Sequence, residues 1–180
     1  MRHLYLTITA ILLTISLSAQ RDQTIFGGNG LRLSGFWFGG TSSMQLIDGE
    51  NDIYRGGHFA FEFNNNWLLG WSHFDISTPD WELDSHGAFL GYSYNANSVV
   101  HPTFNISIAN AKLSSEAREK DRVWTVVPAA GVELNVVRWF RLGMEAGYRF
   151  ASDVETPGLS DADISGGFGT LRLRFGWSWK

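Results

Sequence analysis

The sequence predicts an all-β chain: an eight-stranded antiparallel up-and-down transmembrane β-barrel, preceded by a cleaved signal peptide. Three observations predict this fold. Apolar and polar residues alternate with a period of two over runs of about ten residues, the breaks between these runs alternate in length, and an apolar leader stands at the N-terminus. Successive side chains of a strand point to opposite sides. Each run therefore has one apolar and one polar face, which is typical of strands that cross an outer membrane.

The leader has the three parts of a secretory signal peptide. A basic start at Arg2 is followed by an apolar run from Leu4 to about Leu17 and by the small residues Ser18 and Ala19. This run is shorter than the roughly 20 apolar residues that a spanning helix needs. We therefore predict a signal peptide over residues 1–19 and a barrel domain over residues 20–180.

The clearest alternation lies in segment 123–150, which predicts two strands joined by a tight turn at about Val136 to Arg138. Each strand has one continuous apolar row, opposed by a row that contains glycine, glutamate and arginine. If the turn is centred on Val137, Glu133 and Arg141 face each other on the polar side of the hairpin. Cross-strand pairs of this kind stabilise sheets.

The breaks between the eight predicted strands alternate between long and short. Tight turns are predicted near residues 64–66, 95–98 and 136–138, where asparagines 64 to 66 favour left-handed backbone angles. Long loops are predicted at 44–52, 75–84, 110–122 and 151–163. Transmembrane barrels have this organisation, with short periplasmic turns, longer extracellular loops and both termini on the periplasmic side.

The leader, the hairpin sequence GVELNVVRWFRLGMEAGYRF and the closing LRLRFGWSWK resemble the small outer-membrane β-barrel proteins of Gram-negative bacteria. The resemblance covers essentially the whole mature chain. It implies a location in the cell outer membrane, contact with outer-membrane lipid, and insertion by the barrel-assembly machinery, which reads an aromatic residue at the end of the last strand. In this chain Trp179 is followed by Lys180, which departs from that pattern.

Charged residues in the polar rows predict a lumenal ion-pair core. The interior of an eight-stranded barrel is just wide enough for side chains to fill it, and an isolated buried ion costs several kcal/mol. We therefore expect the lumenal charges to pair and to plug the barrel. The predicted members are Glu62, Glu133, Glu145, Arg141, Arg149, Arg172 and Arg174.

Tryptophans fall near the predicted strand ends. Four lie beside predicted periplasmic turns or the C-terminus, and one lies at the opposite end of its strand. Aromatic residues form girdles at both membrane interfaces of such barrels. The predicted girdle consists of Trp67, Trp139, Trp177 and Trp179 on the periplasmic side and of Trp124 on the other.

Composition excludes several classes of function. The chain has no cysteine, so it has no disulfide scaffold, thiolate metal site or lipoprotein attachment point. Its net charge of −4 provides no electrostatic reason to expect nucleic-acid binding. No histidine, aspartate or glutamate set has a recognised ligand spacing, so we expect neither a metal nor a cofactor.

We expect a non-enzymatic outer-membrane barrel without an open pore, with a structural or accessory role through its extracellular loops or lipid face. One alternative is a lipid-modifying enzyme, since His101 and Thr103 share a face and are similar to the His-x-Ser pair of lipid A deacylases. A second is a transporter or binder of a small hydrophobic ligand. A third is a soluble barrel of the lipocalin kind, whose G-x-W signature matches Gly35 to Trp37. Alternation by itself does not reveal which face points inward.

Overall fold

The structure, a computed structural model, describes residues 30–47, 50–78, 81–115 and 120–179. They form a closed antiparallel barrel in which each strand pairs with the next and the last pairs with the first. The strands are β1 (Leu33–Ile47), β2 (Glu50–Phe63), β3 (Trp67–Ser77), β4 (Trp81–Ser93), β5 (Val100–Ser115), β6 (Lys120–Val137), β7 (Phe140–Ser152) and β8 (Gly166–Ser178), with a helical turn, α1 (Asp161–Ile164), before β8. The predicted fold class and strand count are confirmed. The predicted signal peptide, residues 1–19, lies outside the described residues.

Among the described residues, no helix is both long enough and apolar enough to cross a membrane. The first two tight turns on the side of the termini lie where they were predicted, whereas the third lies at residues 138–139 and not at 136–138. Asn64, Asn65 and Asn95 have positive φ angles of 53°, 60° and 51°, which asparagine tolerates better than most residues. The first of these turns is closed by a hydrogen bond from the Asn66 backbone N–H to the Phe63 carbonyl (3.1 Å).

The strands are longer than predicted at the end opposite the tight turns. Much of the sequence at 44–52, 75–84 and 110–122, predicted as long loops, is strand: β1 runs to Ile47, β4 begins at Trp81 and β5 runs to Ser115. The loop prediction is therefore wrong for these three breaks. The connection between β7 and β8 is long, as predicted, although β8 begins at Gly166 and not at Ile164.

The physical reason is that the apolar row changes face along the strand. On β5, Phe104 and Ile108 point outward, whereas Ala109, Ala111 and Leu113 point inward and are buried. Lys112 continues the outward row and is exposed to the outside. The outer face of the wall is apolar along one part of the strands, and the inner face is apolar along the next part. This arrangement is expected of strands that cross the lipid and then continue into water. A single period-two pattern hides this change, because alternation persists while its phase reverses.

In the half of the barrel next to the tight turns, the apolar rows face outward and the charged rows face inward. Phe104 is 54% exposed and Leu171 is 53% exposed, while Glu133 and Arg174 are buried. A soluble barrel has the opposite arrangement, with its apolar row inside. The face assignment thus agrees with a transmembrane barrel and disagrees with the lipocalin alternative.

The β6–β7 hairpin corrects one predicted pair. Asn135, not Glu133, lies opposite Arg141, and Glu133 lies opposite Gly143. The register shifts between Asn135 and Val137, where an irregularity in β6 precedes the turn at residues 138–139. An extra residue of this kind is a β-bulge, which offsets the two strands. Glu133 and Arg141 are therefore diagonal neighbours on one face, a separation that long side chains can bridge.

Candidate functional site

Glu133 is the centre of an ionic cluster inside the barrel, at the end next to the tight turns. Its carboxylate lies 3.3 Å from Arg141 Nη1 and 2.9 Å from Arg174 Nη1. The ring of His101 lies 3.2 Å away through Nε2. All four side chains are buried. The structure thus brings together residues of β5, β6, β7 and β8 around one carboxylate.

Arg141 links this centre to a second carboxylate. Its Nη2 lies 3.7 Å from Glu62 Oε1, and the hydroxyls of Ser34 and Ser178 donate to Glu62. The Arg141 guanidinium also lies 3.8 Å from the centre of the Trp37 ring, a distance that allows a cation–π interaction. Trp37 is fully buried. Sequence reasoning did not assign Trp37 to the lumen, because both rows of the first predicted strand contain aromatic residues.

A further ion pair lies farther from the tight turns. Arg172 Nη2 pairs with Glu145 Oε1, and Asn105 Nδ2 donates to Glu145 Oε2 (2.8 Å). His58 accepts from Arg174 Nε (3.2 Å) and stacks on Phe89 (5.1 Å between ring centres). The Arg172 guanidinium lies 5.7 Å from the centre of the same Phe89 ring, so His58 and Phe89 lie between the two ion pairs. Sequence reasoning missed both Asn105 and His58 as members of this network.

Arg149 departs from the predicted ion-pair core. No described carboxylate lies within ion-pair distance of its guanidinium, and its Nε donates to the backbone carbonyl of Ile164 (2.8 Å). The guanidinium carbon lies 5.8 Å from the ring centres of both Tyr54 and Phe74. Arg149 is thus buried in the lumen without an ion-pair partner among the described residues, because it lies where the interior changes from polar to apolar.

Beyond Arg149 the interior is an apolar cluster. The residues that form it come from the strand extensions and from the β7–β8 connection, and all are buried. They are Tyr54, Ile76, Trp81, Leu83, Ala111, Leu113, Val123, Ile164 and Phe168. Val154 and Leu159 of the β7–β8 connection pack against it. The sequence analysis missed this cluster, since it interpreted most of these positions as loop or strand end; the reversed phase of the alternation is the signal that could have found it.

Hydrogen bonds hold the β7–β8 connection over this cluster. Asp121 Oδ2 accepts from the backbone N–H of Glu155 (2.6 Å) and from the Thr156 hydroxyl (3.4 Å). Within the connection, Asp163 Oδ2 accepts from the backbone N–H and the hydroxyl of Ser160 (2.7 Å each). These bonds hold the pKa of the Asp163 carboxyl below its usual value. The carboxylates of this region thus stabilise the connection itself.

Replacing Asp121 with alanine should therefore loosen the β7–β8 connection. The backbone N–H of Glu155 and the Thr156 hydroxyl would each lose an acceptor. We expect limited proteolysis of the folded protein to cut within residues 153–165 several-fold faster than in the wild type. Glu155→Ala is a matched control, because the bond to Asp121 uses the backbone of Glu155 and survives that change. Equal cleavage rates for the two variants would show that Asp121 does not hold the connection.

The five predicted girdle tryptophans all point outward and are exposed. Trp67 contacts Tyr92 (4.7 Å between ring centres), and Trp139 stacks on Phe175 (6.2 Å). Trp177 contacts Phe36 (5.7 Å). These contacts place an aromatic band around the wall next to the tight turns, whereas Trp124 lies at the other end of the apolar wall, opposite Asn110 and Ser152.

The remaining candidate residues lie in the lumen. His101 and Thr103 are both inward and buried, and the His101 ring contacts Glu133 and the Ser98 carbonyl (3.3 Å). They therefore face away from the outer surface on which a lipid-modifying pair would act. No cluster of three or more potential ligand residues that could hold a metal occurs in the described part of the chain.

Three of the hollows formed by the described residues bear on function. An internal pocket of about 70 Å³ lies between the ion pairs and the apolar cluster. A hollow of about 620 Å³ opens at the mouth next to the tight turns and reaches Arg141. A shallow hollow of about 560 Å³ on the outer wall is lined by small side chains such as Ala130, Ala146 and Gly169. These three residues pair across β6, β7 and β8, so the wall behind the outer hollow is continuous.

No protein-family model matches the sequence, and no curated protein matches it either. Solved structures do resemble it. The N-terminal β-barrel domain of Pseudomonas aeruginosa OprF superposes with a TM-score of 0.61 at 11% identity, covering 81% of this chain and 98% of that one. Neisserial surface protein A (NspA) superposes with a TM-score of 0.57 at 13% identity, covering 84% and 100%.

A de novo designed transmembrane β-barrel also superposes, with a TM-score of 0.52 at 10% identity, covering 81% of this chain and 97% of that one. At these identities the likeness shows a shared fold. The resemblance to small outer-membrane barrels is thus confirmed in architecture and over nearly the full length of the compared domains.

Proposed function

We propose that this chain is an outer-membrane β-barrel without an open pore, with a structural or accessory role in the cell envelope through its extracellular connections or its lipid-facing wall. The observation that carries the proposal is that side chains occupy the interior at two levels. Glu133 contacts both Arg141 and Arg174 next to the tight turns, and the apolar cluster around Leu113 and Ile164 occupies the other end. Two successive plugs argue against a water-filled conduit.

The outer wall supports the membrane part of the proposal. Each of the eight strands exposes large apolar side chains among its described residues. Examples are Phe38, Phe61, Trp71, Leu90 and Phe104. Soluble monomers rarely expose large contiguous apolar surfaces. The aromatic band next to the tight turns has the position of a membrane girdle. A lipid environment therefore explains this apolar surface, because its exposure to water would be unfavourable.

The first test is cell fractionation. The protein should be recovered in the outer membrane, and its apparent mass on a gel should differ between unheated and boiled samples, because a closed barrel resists detergent until heated. Recovery as a soluble periplasmic or secreted monomer would contradict the proposal. Planar-bilayer recording on the purified barrel is the second test: we expect no resolved single-channel currents, and steady openings would contradict the absence of a pore.

The lipid-facing wall can be tested by charge insertion. Ile106 lies between Phe104 and Ile108 on the outward row of β5, about midway along the ten or so residues that a strand needs to cross. Ile106→Arg should destabilise the folded barrel in liposomes by about 2–4 kcal/mol, the range for arginine near the bilayer midplane.

Asn110→Arg is the matched control for that change. Asn110 belongs to the same outward row but lies opposite Trp124, at the edge of the apolar wall. There the expected cost is about 0–1 kcal/mol. Urea unfolding in liposomes measures both variants. Equal losses of stability would mean that the boundary of the lipid-facing wall does not lie between these two positions.

The two other candidate functions find less support. A lipid-modifying enzyme needs reactive groups on the outer surface, whereas His101 and Thr103 face inward. Lateral transport of a hydrophobic ligand needs an opening in the wall, whereas the strands behind the outer hollow pair continuously. Activity on purified lipid A would revive the first alternative.

A further inference from the structure

Arg149 is the one lumenal arginine of the described barrel that lacks a carboxylate partner. Its side chain is 1% exposed, and its Nε is satisfied by the Ile164 carbonyl. Its Nη1 and Nη2 are buried and have no hydrogen-bond partner among the described residues. A buried guanidinium that is bonded through one nitrogen only is costly unless a negative charge compensates it.

The charges of the described lumen do not balance without such a partner. Three buried carboxylates face inward, Glu62, Glu133 and Glu145, against four buried guanidinium groups. Asp121 is also on an inward row, but it is partly exposed and binds the β7–β8 connection. Arg141, Arg172 and Arg174 each lie within 4.0 Å of one of these carboxylates. The buried side chains of the described lumen thus contain one more guanidinium group than carboxylates, and the guanidinium without a carboxylate partner is that of Arg149.

The 70 Å³ pocket lies at Arg149. Arg172 and the hydroxyl-bearing side chains of Ser43, Tyr54 and Thr170 also line it. Ser43 and Thr170 share one hydrogen bond of 2.6 Å, which uses only one of the two hydroxyl hydrogens. Glu145 lines the same pocket, but its two oxygens are engaged by Arg172 and Asn105. Guanidinium and hydroxyl donors around a small space are the groups that bind an anion.

We propose that this pocket binds one small monovalent inorganic anion, of the size of a halide, held by Arg149. The charge follows from the single excess arginine. The size follows from the volume, since about 10–15 Å³ of such space holds one water; the pocket therefore has room for a small ion with a few waters and excludes a sugar phosphate or a lipid headgroup. This site goes beyond the proposed structural role and does not depend on it.

The test uses the purified full-length barrel in liposomes, with chloride as the probe. The urea midpoint is measured at constant ionic strength while sodium gluconate is replaced stepwise by sodium chloride. An ion that binds only the folded state raises stability as its concentration exceeds its Kd. We expect the wild-type midpoint to rise with the logarithm of the chloride concentration once that concentration exceeds the Kd, and the midpoint of Arg149→Met to stay constant.

Arg55→Met is the matched control. Arg55 is an exposed arginine on β2, so this variant should keep the wild-type chloride response. Equal responses of the wild type and Arg149→Met, or equal effects of gluconate and chloride, would overturn the proposal, since they would show screening by salt in general.

Wild-type crystals grown in sodium bromide decide the matter even if Arg149→Met fails to fold. We expect an anomalous peak within hydrogen-bonding distance of Arg149 Nη1 or Nη2. Ordered water at that position without an anomalous peak would overturn the proposal. A peak without any chloride-specific rise of the wild-type midpoint would also overturn it, because the bromide would then be an adventitious ion only.

Discussion

Replacing Glu133 with alanine should destabilise the folded barrel by about 3–5 kcal/mol, the range observed when one partner of a buried ion pair is removed. Glu133 contacts Arg141, Arg174 and His101, and all three are buried with it. Its loss would leave Arg174 with His58 alone and Arg141 with the more distant Glu62. Urea unfolding in liposomes measures the loss, and Glu82→Ala, at an exposed site on β4, controls for the removal of a carboxylate.

A second substitution separates the charge effect from the lost contacts. In Glu133→Ala combined with Arg174→Met, the methionine retains much of the side-chain volume and removes one uncompensated charge. We expect this double variant to recover part of the stability that Glu133→Ala loses, because the two sites are coupled. In a water-filled channel both changes would be nearly neutral for stability and would instead alter conductance. Additive small effects with resolved channel currents would contradict a plugged interior.

Replacing Leu113 with alanine should also destabilise the barrel strongly. Leu113 is fully buried in the apolar cluster at the end opposite the tight turns. Leucine-to-alanine changes in packed cores cost about 2–5 kcal/mol, because the loss of apolar burial adds to the cost of a cavity. Faster proteolysis within residues 153–165 should accompany the loss, since Ile164 and Leu159 pack on the same cluster.

Leu90→Ala is the control for that change. Leu90 points outward and is exposed, where lipid or detergent can fill the space that the side chain leaves. We expect a clearly smaller loss of stability than for Leu113→Ala. Comparable losses would mean that the interior at Leu113 is no better packed than the outer wall, and the second plug would then be an open vestibule.

The sequence analysis was most successful where one residue pattern determines one feature. The alternation on β5 to β8 predicted the strands, and the asparagines at 64 and 65 predicted a left-handed turn, which the structure contains. It was least successful where a contact joins distant strands. The bond between Arg174 and His58 spans 116 positions in the sequence, and it depends on how the sheet closes. No spacing along the chain contains that information.

Arg149 also shows that the sequence pattern does not reveal which residues meet in the barrel. Its place in the polar row of β7 made it equivalent to Arg141 in the sequence, since both alternate with apolar residues. The structure places Arg141 next to two glutamates and Arg149 beneath the Ile164 carbonyl, near Tyr54 and Phe74. Arg141 and Arg149 differ in their position along the barrel axis, and that position depends on the register of all eight strands.

The sequence by itself determined that this chain forms eight alternating strands with tight turns at one end, because strand side chains alternate with a period of two and asparagine tolerates the turn conformation. Only the tertiary structure decided which row faces inward, where that choice reverses along β5, and which charges meet. The physical reason is that alternation is the same for both faces of a flat sheet. Closure of the sheet makes one face a narrow interior, and it brings into contact residues that lie far apart in the chain.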